Sequence, residues 1–322
     1  MFILGLQGSP RLNGNTSILL EKLLDEARNL GAATQTIHAA KKNILPCKEC
    51  GTCERKGFCP IDDDMQGIYP LLWQADLIVL ATPIFFYGAT AQLKALIDRS
   101  QALWSRKYVL GLSDPGRQWR KGALIAVGAT KGKNLFEGVI LTAKYFFDAV
   151  GAEFAGELTY KQIESSGDIK AHPTALNDAN EMGQRLTAPF LKRKKFLFLC
   201  GENACRSQMA GAFARNYAGD RVEALSAGNK PAKEINPIVV EVMHEKMIDM
   251  AYLKPKSLES VSFSGKPDLI ISMGCGDRCP NFPGVPIEDW DLEDPAGKPE
   301  SFMRETRNEI EKRVKQLIDE KC

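Results

Sequence analysis

Three features of the sequence predict an α/β fold in two domains, each a parallel sheet with helices on both faces. The 322 residues are about twice the usual domain length of roughly 150. Apolar runs of strand length alternate with stretches of helical apolar spacing, the order that builds parallel sheets covered on both sides. A strand, loop and helix opening stands at residue 2 and again at residue 195, after the basic run Lys192-Arg193-Lys194-Lys195, which reads as a solvated linker. The expected domains are therefore 1–193 and 194–322.

FILGLQ (2–7) is the first strand, and Ile18, Leu19, Leu23, Leu24, Ala27 and Leu30 fall at helical spacing over 16–30. Strands follow near 33–38, 76–82, 122–128 and 153–160, with helices near 88–103, 137–150 and 174–190. In the second half KFLFLC (195–200) is a strand. It leads to a helix over 206–218, a strand over 221–226, a helix over 236–248 and a strand over 268–273. The last helix lies near 300–320, where Met303, Ile310, Val314, Leu317 and Ile318 share one face.

Composition narrows the function classes. With 44% hydrophobic and 25% charged residues the chain is globular, not disordered or collagen-like. A net charge of +2, with no basic stripe interleaved with aromatics, disfavours nucleic acid as a partner. No run approaches the roughly 18 apolar residues of a membrane span, and the start lacks a signal-peptide pattern, so no membrane partner and a cytoplasmic location are expected. Nine cysteines, an odd number in tight groups, point to metal or redox chemistry instead of a disulfide framework.

In the first domain GSPRLNGNTS (8–17) joins the first strand to the first helix, where backbone amides and the helix N-terminus favour an anion. Ser9, Arg11, Asn15, Thr16 and Ser17 add side-chain donors. The loop is neither GxGxxG nor the Walker pattern, which favours a mononucleotide over a triphosphate or dinucleotide. Pro83, Ile84, Phe85, Phe86, Tyr87 and Gly88 follow a strand at the carboxyl edge of the sheet, where open α/β sheets bind ligands, and the aromatics suit a flat ring. Cys47, Cys50, Cys53 and Cys59 are spaced Cys-x2-Cys-x2-Cys-x5-Cys, a set that serves an iron-sulfur cluster, zinc or metal-free dithiols alike.

Together these motifs resemble the flavodoxin-like NAD(P)H-dependent FMN reductases and, within them, the iron-sulfur flavoproteins. The resemblance implies FMN as cofactor, its phosphate on Ser9, Arg11, Asn15, Thr16 and Ser17. The isoalloxazine would lie on Pro83 to Gly88, with the 128–134 loop as a third contact. It also implies NAD(P)H as cosubstrate and a four-iron four-sulfur cluster on the four cysteines, and leaves open a homo-oligomer formed through the flavin domain.

CGENACRS (200–207) opens the second domain's first helix and gives Cys-x5-Arg-Ser. A thiol at the base of that loop faces the helix N-terminus and the Arg206 guanidinium, both of which favour thiolate. The same groups bind a tetrahedral oxyanion, bringing nucleophile and substrate together. CGENACRSQMAGAFA, SAGNKPAKEINP, MGCGDRCP and DWDLEDPAGKPESF resemble the low-molecular-weight protein tyrosine phosphatases and, more closely, their arsenate reductase branch. By that resemblance Cys200 is the nucleophile, Arg206 binds the oxyanion, Asn203 and Ser207 shape the loop, and Asp294 donates a proton. Cys275 and Cys279 then supply the second thiol that oxygen removal from arsenate requires and a third that shuttles the disulfide, in an order the spacing leaves open.

The combined expectation is an oxidoreductase: arsenate reduction by a nucleophile and disulfide relay, fed by an NAD(P)H-dependent FMN domain, with thioredoxin or glutaredoxin as further reductants. Two alternatives are a phosphatase fused to an FMN reductase, and a redox or arsenic sensor that does not turn over.

Overall fold

The structure is a computed structural model, and it describes residues 1–260, 266–274 and 282–322. Two compact units emerge, Met1–Gly111 with Arg117–Leu191, and Leu112–Gly116 with Lys192–Cys322.

In the first unit the elements run β1 (Phe2–Gln7), α1 (Asn15–Asn29), β2 (Ala33–His38), α2 (Thr52–Lys56), α3 (Met65–Gln74), β3 (Leu77–Pro83), α4 (Ala91–Arg99), α5 (Gln101–Tyr108), β4 (Lys121–Val127), α6 (Glu137–Ala149), β5 (Glu153–Tyr160) and α7 (Ala175–Thr187). The strands form one parallel sheet in the order β2-β1-β3-β4-β5. Ile3, Val79 and Ile125 are fully buried with Leu19, Leu23 and Ala179 of α1 and α7. Strand order reverses beside β1, so the loops after β1 and β3 border the crevice where doubly wound sheets take ligands.

The second unit runs β6 (Lys194–Cys200), α8 (Arg206–Ala218), β7 (Val222–Gly228), α9 (Pro237–His244), β8 (Leu269–Ser272), β9 (Ile287–Asp289) and α10 (Glu300–Lys321). Its sheet is parallel in the order β7-β6-β8-β9. Alternate residues of β6 feed opposite faces: Phe196 and Phe198 pack with Met209, Phe213, Ile310 and Val314, while Leu197 and Leu199 pack with Ala227 and Ile270. A strand buried on both sides reads as the unbroken apolar run FLFL. β6 ends at Cys200, which places that thiol where the chain turns into the loop before α8.

Several elements depart from the sequence expectation. The helix expected over 88–103 is two helices, since residues 85–88 form a tight turn closed by Phe85 and Gly88 at 3.0 Å and the chain breaks at Ser100. Within α3 a Pro70 masks the pattern, yet Met65, Ile68, Tyr69, Leu72 and Trp73 are all buried on one face. The short strand β9 and the single-turn helix α2 are too brief for periodicity to reveal. None of the helices in the described residues is long and apolar enough to cross a membrane.

Candidate functional site

The first site lies at the carboxyl ends of β1 and β3. A cavity of 230 Å³ is lined by Ser9, Arg11, Asn15 and Thr16 on the loop side, with Pro83, Ile84 and Phe85 on the other. Helix α1 begins after Gly14 with no side chain capping its first amides, which leaves donors for a phosphate oxygen. Those features fit the phosphate end of FMN.

Buried Gln7 organises the loop. Its Nε2 donates to Ser17 Oγ at 2.6 Å, and its Oε1 accepts from Ser9 N at 3.0 Å and Thr16 Oγ1 at 3.3 Å. Ser17 is thereby occupied and does not line the cavity. Asn15 accepts from Gly167 N at 2.9 Å and donates to Ser165 O at 2.8 Å, so it lines the cavity while tying the loop to the 165–169 segment. Phe86, Tyr87 and Gly88 also lie off the cavity lining; Phe86 is fully exposed, and Phe86 and Tyr87 have φ of 48° and 63°. The predicted ring platform is therefore met only by Pro83, Ile84 and Phe85. Of the expected third contact, Ala129 lines the cavity. Replacing Arg11 by Ala should weaken FMN binding by about 1.5–3 kcal/mol, the worth of a charge-assisted contact, measured by flavin fluorescence titration; unchanged affinity would remove Arg11 from the site.

Cys47, Cys50, Cys53 and Cys59 are free thiols that all line one cavity of 770 Å³ with Arg99, Trp104, Tyr145 and Phe146. Hydrogen bonding to Thr52 holds the Cys50 thiol below its ordinary value. Thiolate sulfurs have the donor chemistry for zinc or iron, but among the described residues no three His, Cys, Asp or Glu side chains come together as a metal-holding group. The expected metal set is thus four separate thiols around a shared cavity.

In the second unit the loop 200–206 wraps the sulfur of Cys200. Its Sγ lies 3.0 Å from Ser207 Oγ and accepts from Asn203 N at 3.2 Å. Asn203, at φ 52°, donates from Nδ2 to Ser207 Oγ at 2.7 Å, and its Oδ1 accepts from Gln208 Nε2 at 3.0 Å and Lys256 N at 2.9 Å. Burial lowers the Lys256 ammonium below its ordinary value, with Arg215 adding to the effect. Buried Arg206 donates from Nη1 to Leu292 O at 2.6 Å and pairs with Asp294 at 3.0 Å through Nη2, while its buried Nε has no partner among the described residues. Cys200, Arg206 and Asp294 share a cavity of 320 Å³.

Cys205 lines the same cavity, and burial, with Cys200 and Asp294 adding, pushes its thiol up to about 12. Near neutral pH it is an uncharged thiol, so iodoacetamide at pH 8 should label Cys200 well ahead of Cys205 by peptide mass spectrometry. Equal labelling would show that Cys205 is not shielded.

Two glycines escaped the sequence reading. At Gly228 a Cβ would lie 2.7 Å from Asn203 N, and at Gly274, with φ 74°, it would lie 2.7 Å from Arg206 Nη1. Both allow backbone to press against the loop or its arginine, and only their position at a strand's end, Gly228 as the last residue of β7 and Gly274 two past β8, hints at this. Cys275 and Cys279 lie outside the described residues.

The description "NADPH-dependent FMN reductase" matches residues 1–135, and "Low molecular weight phosphotyrosine protein phosphatase" matches residues 195–321. An iron-sulfur flavoprotein of Methanosarcina thermophila is 37% identical over 131 residues, covering 41% of this chain and 65% of that protein. The chain thus spans just under two thirds of the length of that relative. A putative arsenate reductase of Halobacterium salinarum is 38% identical over 131 residues, 39% of this chain and 92% of the relative. Arsenate reductase 1 of Bacillus cereus is 37% identical over 131 residues, 39% of this chain and 96% of the relative. In its second unit the chain therefore belongs to the family of these arsenate reductases, over a stretch that matches the low-molecular-weight phosphatase description, while residues 1–135 are similar to NADPH-dependent FMN reductases.

Proposed function

We propose that the chain reduces arsenate to arsenite at Cys200 and that its first domain, with FMN and NAD(P)H, supplies the electrons. The observation that carries the reading is a hydrogen-bonded Cys200 sulfur sharing one cavity with a buried Arg206 guanidinium whose Nε has no partner among the described residues. An unpaired buried donor is costly, and an oxyanion in the cavity satisfies it.

Cys200 Sγ attacks arsenic and displaces one oxygen, which leaves as water with a proton from Asp294. Cys275 then attacks Cys200 Sγ, the electrons of the sulfur–arsenic bond pass to arsenic, and arsenite departs as the Cys200–Cys275 disulfide forms. Two thiols thus provide the two electrons, and one arsenate with two thiols gives arsenite, one disulfide and one water. Exchange with Cys279 frees Cys200 and leaves a Cys275–Cys279 disulfide for reduction.

In the first domain Ser9, Arg11, Asn15 and Thr16 would hold the FMN phosphate, with Pro83, Ile84 and Phe85 against its ring. Bound there, FMN supplies hydride acceptance from NAD(P)H. The family context supports Cys47, Cys50, Cys53 and Cys59 as a site for a thiophilic ligand.

Cys275→Ser tests the relay: arsenate turnover should stop while hydrolysis of p-nitrophenyl phosphate persists, because only the reduction needs a disulfide. Equal loss of both would make Cys275 structural, and hydrolysis with no arsenate turnover in the parent chain would favour a phosphatase. Coupling is tested separately. The intact chain should reduce arsenate with NAD(P)H alone and outpace a dilute mixture of the halves cut at about Lys194, since tethering raises effective concentration. An absolute requirement for added thioredoxin would sink the coupling and leave the chemistry at Cys200 standing.

A further inference from the structure

The loop that joins β1 to α1 hangs on one side chain. Gln7 ends β1 fully buried, and the backbone N–H of Ser9 faces its amide at 3.0 Å. A backbone N–H can only donate, so the atom it meets is Oε1, and the other corner of the amide is Nε2, which donates to Ser17 Oγ at 2.6 Å. Two serines carry these contacts on to a single residue. Ser9 Oγ accepts from Arg11 N at 3.1 Å. Ser17 Oγ, having accepted from Gln7, donates its own proton to Arg11 O at 3.5 Å, where Gly14 N also donates at 3.3 Å. Gln7 thereby fixes Arg11 at its N–H through Ser9 and at its carbonyl through Ser17.

Arg11 needs such an anchor, because residues 10–13 are all exposed and belong to no helix or strand. A guanidinium on a loose loop spreads over many positions, and holding its backbone before the ligand arrives lowers the ordering cost of binding. The clamp itself stays off the cavity. Ser9 and Arg11 line it, while Gln7 and Ser17 stand behind them. Both polar corners of the amide are used, so a glutamate, which has no donor for Ser17, and an asparagine, one methylene shorter, do not reproduce the set.

We infer that Gln7 is the positioning residue of the phosphate site: through Ser9 and Ser17 it sets the backbone of Arg11, and with it the guanidinium that meets the phosphate. The inference rests on the reading of this cavity as the FMN site. It gives Ser17 a part other than the one its place in the sequence suggests, as the link between Gln7 and Arg11 in place of a phosphate ligand. The consequence is selective, since only a phosphorylated flavin uses Arg11. FMN affinity depends on Gln7, and riboflavin affinity does not.

The full chain, stripped of flavin, is titrated with FMN and with riboflavin and followed by flavin fluorescence. Gln7→Met keeps the length of the side chain and removes both polar corners; it should weaken FMN binding by about 10–100-fold, the loss of one charge-assisted contact, and leave riboflavin binding unchanged. Arg11→Ala should add little in the Gln7→Met background, because residues that act through one contact are not additive. Ser17→Ala should likewise weaken FMN binding in the parent and add nothing once Gln7 is replaced. Because Gln7→Met strands a buried hydroxyl, the pair Gln7→Met with Ser17→Ala is measured in parallel to keep the domain folded, and it should show the same loss of FMN with riboflavin binding kept. Unchanged FMN affinity in both of these variants would overturn the role of Gln7. So would equal loss of FMN and riboflavin in both, since Gln7 would then serve only the fold, and so would full additivity of Gln7→Met with Arg11→Ala or with Ser17→Ala. If the parent chain takes up neither flavin, the FMN reading fails first and the role of Gln7 falls with it.

Discussion

Replacing Cys200 by Ser should abolish arsenate reduction and any phosphate ester hydrolysis together, lowering kcat by about a thousandfold or more, as removal of a nucleophile does. The geometry leaves little room for compensation. Asn203 N donates to the Cys200 sulfur and Ser207 Oγ lies 3.0 Å from it, contacts that suit the charged form of a nucleophilic sulfur. A serine hydroxyl has no comparable anionic form there. Cys205, held neutral by burial, cannot take over. The check is single-turnover arsenite release together with binding of arsenate: binding should survive, because Arg206 remains, while release disappears. Retention of even a tenth of the activity would point to another nucleophile.

Gly228→Ala should lower kcat/KM for arsenate by about 100-fold, the penalty that a displacement of about 1 Å imposes on reacting groups. Its Cβ would fall 2.7 Å from Asn203 N and 2.9 Å from both Glu202 C and Gly201 O. These are backbone atoms of the loop itself, so the clash cannot be relieved by rotating a side chain. Overpacking of this kind costs about 1–3 kcal/mol, which should leave the domain folded. Gly211→Ala in α8 is the control, since its Cβ would meet only Ser226 Cβ at 3.8 Å. That change should leave activity intact. If both variants behave alike in steady-state assays, Gly228 does not set the loop.

Much of the architecture is legible in the sequence because parallel strands buried on both faces announce themselves as runs such as FLFL and LIVLA. The loop after β6 is equally legible, for Cys200, Asn203, Arg206 and Ser207 lie within eight residues and the local geometry brings them together. What escapes depends on contacts distant in sequence. Gln7 looks like the frayed end of a strand until it meets Ser9, Thr16 and Ser17. Arg99 resembles the polar end of an amphipathic helix, and its partners lie 36 to 54 residues away. Pro70 hides α3 because its helix-breaking tendency is local while the burial that overrides it is tertiary. The aromatic triplet misleads for the opposite reason. Phe85, Phe86 and Tyr87 are alike in chemistry, but a tight turn sends only the first towards the cavity.

That turn has a consequence for the protein's life in a cell. Bulky aromatic residues rarely occupy left-handed backbone, and Phe86 and Tyr87 do so in succession. Each such residue costs about 1–3 kcal/mol, so the turn carries a tension that the rest of the domain must restrain. A ligand that binds only the tensioned form shifts the balance by RT ln(1 + [L]/Kd), about 2.7 kcal/mol at a hundredfold excess over Kd. A molecule held against Phe85, FMN on the reading proposed above, would in this way make the folded domain harder to cleave by proteases, quite apart from how fast it works.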